Sequence, residues 1–165
     1  MVKTEFLLSV KEFTVIAVGD FLLPTRVQGK DETPELKPAA VYLMRLPDSK
    51  SAAKKAPYIL HQIVTAEDRQ NEGRRDESYL QLRSIFCVYC GDEEQGGMML
   101  VELMERLRIA LLRLRILDRR FYLDLTSGSV QTLIYPDDTA PYFLGEMITT
   151  WQMPAVQRDI RPALE

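Results

Sequence analysis

The segment from Met98 to Leu117, MMLVELMERLRIALLRLRIL, narrows what this chain can fold into. Leu100, Leu103, Met104, Leu107, Leu111 and Leu114 recur at steps of three and four residues, which places them on one face of an α-helix. Asp92, Glu93 and Glu94 stand before that helix, and Arg113, Arg115, Arg119 and Arg120 cluster around its end, the charge order a helix dipole favours. Glu102 and Arg106 are spaced to pair one turn apart on the outer side. Val101, Ile109, Leu112 and Ile116 widen the apolar stripe beyond what one sheet face covers. The segment therefore reads as a helix lying across a β-sheet, with a second surface, such as another subunit, covering part of its flank.

The other runs supply the sheet. Residues 4–19 carry Phe6, Leu7, Val10, Phe13, Thr14 and Ala17 at helical spacing, with Thr4 placed to cap the start and Gly19 to end it. PTRVQGKDETPELKP, residues 24–38, reads as a loop rich in breakers and charge, and a short strand follows from Ala39 to Leu46. LPDSKSAAKKAP reads as a hairpin loop. PYILHQIVTA (57–66) and YLQLRSIFCVYC (79–90) are β-rich, and EDRQNEGRRDES puts eight charges between them, so they predict a long hairpin with a charged tip. Leu80, Leu82, Phe86 and Val88 alternate with Gln81 and Arg83, which points the even positions at the helix. After the helix, FYLDL, SVQTLIYP and YFLGEMITTWQM predict three more strands, joined by Ser127-Gly128 and by PDDTAP. Strands are grouped, not alternated with helices. The expected class is α+β: a mostly antiparallel sheet with a long central helix and an N-terminal helix packed on one face. One domain spans residues 1–154 and an extended tail spans 155–165.

Composition narrows the function classes. A net charge of -3 gives no global attraction to nucleic acid. No apolar run reaches the 18 or so residues that span a bilayer, and Lys11, Glu12 and Asp20 interrupt the nearest candidate, Phe6 to Leu23. The expectation is a cytoplasmic chain with no membrane partner. Two cysteines are too few for a disulfide framework.

Residues with chemistry are sparse. Cys87 and Cys90 lack two further ligands for zinc, and the single histidine, His61, stands at no recognisable ligand spacing. A thioredoxin-like thiol needs a helix N-terminus directly at the cysteine, whereas GDEEQGG intervenes with three carboxylates that disfavour a thiolate. The same segment lacks the lysine of a phosphate loop. His61 has no partner serine or cysteine motif. Asp137 and Asp138 fall in an expected turn, where Asp is favoured for geometry alone. Arg74 and Arg75 are flanked by Glu72, Asp76 and Glu77 and read as a solvated, mixed-charge tip. Trp151 reads as core or interface. The residues thus give no catalytic, cofactor-binding or metal site, and by elimination favour a structural or interaction role.

The order of elements resembles a known family. An N-terminal helix, a long polar loop, a strand like AAVYLMRL, a strand like SYLQLRSIFCVYC, a helix and a closing hairpin ending in GEMITTWQMP are similar to tail terminator and tail completion proteins of long-tailed bacteriophages and prophages. The resemblance covers most of residues 1–154 and is one of order and texture, without a sharp motif. It implies a structural virion protein, made in the host bacterial cytoplasm and then part of the virion tail. It implies a homo-oligomer, a hexameric ring, that caps the tail tube protein, ends tail polymerisation and offers a head–tail joining surface to sheath and neck proteins. DNA would meet it only on passing through the lumen.

What transfers is surface. The expected contacts are the tip 67–78 with Arg74 and Arg75, the loop 48–57, the turn with Asp137 and Asp138, the mixed strand faces at Ile59, Ile63, Ile85 and Tyr89, and Trp151. Subunit contacts would bury the mixed faces. The additional strand PYILHQIVTA and the C-terminal QRDIRPALE depart from the shortest family members, which keeps a neck connector or stopper as the alternative. A small thiol oxidoreductase using Cys87 and Cys90 is the rival from another class.

Overall fold

The computed structural model describes residues 1–29, 32–47, 55–136 and 139–159. Alternating side chains build the main sheet, whose strands run in the order β3 (Ala40–Leu43), β4 (Tyr58–Gln70), β5 (Asp76–Tyr89), β9 (Tyr142–Met153), β7 (Phe121–Leu123), β6 (Ile116–Leu117). A further strand, β8 (Gln131–Ile134), also pairs with β9. Every pair is antiparallel except β3 with β4. Helices α1 (Val2–Val18) and α2 (Glu93–Leu114) share one core cluster with the even positions of β5, so both lie on one face. The fold is α+β, as the pattern of the sequence predicts.

Helix α1 crosses the strands instead of following them. Phe6 packs on Phe121 and Trp151, with ring centroids 5.3 and 5.2 Å apart, while Thr14, two turns on, reaches His61 of β4. Burial of each large aromatic side chain stabilises such a core by about 1.5–3 kcal/mol. Arg120 in the β6–β7 turn holds the start of α1 through Glu5 at 2.8 Å. Thr4 is not the cap: Met1 occupies that position, and the Thr4 hydroxyl instead donates to the Met1 carbonyl.

The central helix starts earlier than its apolar periodicity shows. Asp92 caps it by accepting from the Gln95 N–H at 3.0 Å, and Glu93 and Glu94 complement the dipole in the first turn. Gly96 and Gly97 are helical. A Cβ on Gly96 would stand 2.1 Å from the Phe143 ring, so the glycine lets α2 approach β9. The helix ends where Arg115 turns left-handed (φ 61°) and gives its N–H to the Leu111 carbonyl. Glu102 and Arg106 pair as expected, at 3.0 Å.

Three loop expectations change. Residues 24–38 do not form a plain loop: β1 (Leu23–Gln28) and β2 (Pro34–Lys37) make a separate antiparallel ribbon, outside the main sheet, with β2 wholly exposed. β3 and β4 do not form a hairpin, because they pair parallel. The charged segment 67–78 is mostly strand, and the turn shrinks to Asn71–Arg75, closed by the Asn71 side chain on the Arg75 N–H at 2.9 Å. Beyond α2, β7 and β8 do not pair with each other. They lie one after the other along the same edge of β9, at Trp151–Gln152 and at Gly145–Ile148.

Candidate interaction surfaces

The face of the sheet away from the helices is divided in two by its register. Cross-strand rows are set by the pairs Tyr58–Cys87–Leu144, Leu60–Ile85–Glu146, Gln62–Arg83–Ile148 and Thr65–Gln81–Thr150. The first two rows apart from Glu146, with Tyr42, Tyr89 and Tyr142, form a small second apolar cluster that Leu46 and Ala56 help to cover. The later rows are polar apart from the half-buried Ile148. Arg83 donates twice to Gln62 Oε1 (3.2 and 2.9 Å), and Thr65 donates to Gln81 at 3.0 Å.

A β-bulge at Val64 decides which residues reach the polar half. Ile63 pairs with Leu82 but Thr65 pairs with Gln81, so one residue of β4 is extra. Odd positions before it (Ile59, His61, Ile63) face the helices, and odd positions after it (Thr65, Glu67, Arg69) face the open side. Beside them lies a hollow of about 480 Å³ lined by Thr65, Arg69, Tyr79, Gln81 and the Ser127–Ser129 loop. Arg69 stacks on the Tyr79 ring at 4.5 Å and pairs with Glu67 and Glu77, so its charge is already neutralised within the chain.

The expected contact residues scatter. Ile59 and Trp151 are fully buried beneath the helices, so neither is an interface residue; Trp151 also gives its indole N–H to Thr149 at 2.9 Å. Ile63 is half-buried against the same core. Ile85 and Tyr89 sit half-buried in the second cluster, with Tyr89 against Tyr142 at 5.5 Å. Arg74 and Arg75 are exposed at the β4–β5 turn. Asp137 and Asp138, and residues 48–54 of the expected loop, lie outside the described residues.

His61 is better connected than its sequence context indicates. It is fully buried, with Nε2 at 2.8 Å from Thr14 Oγ1 and Nδ1 at 2.7 Å from Ser84 Oγ. Burial lowers its pKa to about 3, so the ring is neutral. Ser84 stands opposite it in the β4–β5 register, and only the pairing of distant strands reveals that partner. Ser84 and Thr14 are themselves buried, and the triplet ties α1 to the sheet.

Cys87 lies on the other face, in the second cluster, so it and His61 do not converge. Burial pushes its thiol up to about 12, which opposes thiolate formation at neutral pH. Cys90 is buried as well. Among the described residues, no helix is long and apolar enough to cross a membrane.

No protein-family model matches this chain, and no curated protein matches it.

Proposed function

We propose that this chain is a structural protein of a phage or prophage tail, assembling as a ring that caps the tail tube, ends its polymerisation and presents a joining surface to the head. The proposal starts from the resemblance in element order. The observation that carries it further is α1, whose outer side carries exposed apolar residues on either side of Lys11 and Glu12. Its inner side packs in the core, while Leu8, Val15 and Ile16 point outward, Ile16 at 81% exposure. Exposed apolar side chains grouped beside charged ones form a docking patch, and a second protein surface would cover it.

Two further features support assembly over catalysis. Buried Leu23, Pro24 and Thr25 anchor β1, but the rest of the β1–β2 ribbon and the outer part of β4 are exposed, the form of arms that gain stability by docking. The buried, elevated Cys87 thiol weighs against the oxidoreductase alternative.

Light scattering at several concentrations, with and without purified tail tube, tests the reading. A mass near six times 19.0 kDa, or a monomer that becomes a ring on adding tube, supports it. A stable monomer or dimer that ignores the tube overturns it. Binding to a portal-proximal neck component in place of tube would reassign the chain as a connector or stopper.

A further inference from the structure

The outer side of α2 carries apolar residues that nothing in the chain covers. Met98 is 67% exposed, and Val101 and Ile109 are exposed with it. Met98 and Ile109 are separated by about three turns and so share a side. Leu114, the last residue of the helix, and Ile116 just past its end are exposed too. The middle of the helix is electrostatically closed: Glu102 pairs with Arg106 and Glu105 with Arg108. Its ends are not. Glu93 and Glu94 beside Met98, and Arg113, Arg115 and Arg119 beside Leu114 and Ile116, are exposed and form no ion pair among the described residues.

Unpaired charge is therefore sorted by sign to the two ends of a strut about 33 Å long. Each end combines exposed apolar side chains with charges of one sign, the arrangement of an apolar interface centre with a polar rim. We infer that the occupant of each end is the opposite end of a second copy: Met98, Val101, Glu93 and Glu94 of one subunit meet Leu114, Ile116, Arg113 and Arg119 of the next. Like ends repel, so a two-fold pairing of the same patch is disfavoured and the contact is head-to-tail. Successive helix dipoles then also line up favourably. Repeated by rotation, such a contact closes a ring. This inference rests on the ring reading above and names the surfaces that build it.

The test uses two charge reversals of the full chain, E93K/E94K and R113E/R119E, which leave the Asp92 cap and the Arg115 turn intact. Each alone should sediment at 19.0 kDa under conditions where the wild type assembles. An equimolar mixture should regain the wild-type mass, because every junction then joins Lys to Arg119-side Glu or Glu to Arg. Variants that keep the wild-type mass, or a mixture that fails to reassemble, overturn the contact while leaving the ring to be formed by other surfaces. Loss of tube binding at unchanged mass overturns it in favour of a tube-facing patch. A wild type that stays monomeric at low salt overturns it as well, and the ring reading is then judged by tube addition alone. Circular dichroism checks folding; should a reversal unfold, E93Q/E94Q and R113Q/R119Q should raise the dissociation constant at least tenfold, and an unchanged constant overturns the contact.

Discussion

Thr14 Oγ1 lies 2.8 Å from His61 Nε2 while giving its own proton to the Val10 carbonyl at 2.7 Å. With that proton committed, the hydroxyl accepts, and the ring donates from Nε2. Nδ1 is then an acceptor, filled by the Ser84 hydroxyl at 2.7 Å. The neutral ring has both nitrogens satisfied, and a second ring proton would put a charge in the buried core and force the Ser84 hydroxyl to turn its own proton away.

The chain should therefore lose stability on acidification well before its carboxylates titrate. The native ring resists protonation down to about pH 3, whereas in the unfolded chain it binds a proton below about pH 6.5. The unfolded state thus holds more protons in that window, so stability is full above about pH 6.5 and falls as the pH drops, by up to about 1.4 kcal/mol per unit. His61 is the only histidine, which isolates its effect between about pH 4.5 and 6.5. Urea midpoints across that range check the slope; a flat profile would contradict the buried neutral ring.

Ile59 and Ile85 should part company under the same substitution. Ile59 is fully buried beneath the helices, so Ile59→Asp places a carboxylate in the core and should unfold the chain, at a cost of roughly 4 kcal/mol or more. Ile85 is half-buried on the opposite face, so Ile85→Asp should cost only about 1–2 kcal/mol and leave a folded protein of reduced native mass. Thermal melts paired with light scattering read both effects.

Two adjacent glycines in α2 should respond oppositely to alanine. Gly97→Ala meets no atom within 4 Å and should gain about 0.5–1 kcal/mol from helix propensity. Gly96→Ala gains the same backbone preference but drives its methyl group into Phe143, so it should be neutral or destabilising. Equal stabilisation by both would mean that α2 does not depend on its close approach to β9.

Cys87 should stay unmodified by iodoacetamide in the native protein at pH 7.5 over hours, and react within minutes in denaturant. Its burial and raised pKa of about 12 leave almost no thiolate. Rapid native labelling at Cys87, located by peptide mass, would revive a thiol chemistry.

Local patterns carried much of the fold. The heptad-like spacing of α2, the even-odd alternation of β5 and the turn residues between strands are short-range signals, and each yields its element because side-chain direction repeats every 3.6 or 2 residues. The helix start was hidden because glycine lowers helix propensity, and the reason for Gly96 lies on β9, far along the chain. Residues 24–38 concealed a ribbon for a similar reason: proline and charge mark a turn-rich stretch, and only pairing of Leu23 with Lys37 converts it to strand.

The sequence by itself determined the class of the fold, the two helices, the inward face of β5 and the sparseness of reactive groups, because those follow from composition and period. Tertiary structure alone decided that Ile59 and Trp151 are core, that the Val64 bulge exchanges the faces of β4, and that His61 meets Thr14 and Ser84. Those facts depend on register between distant segments, and one additional residue in a strand reverses every side chain beyond it.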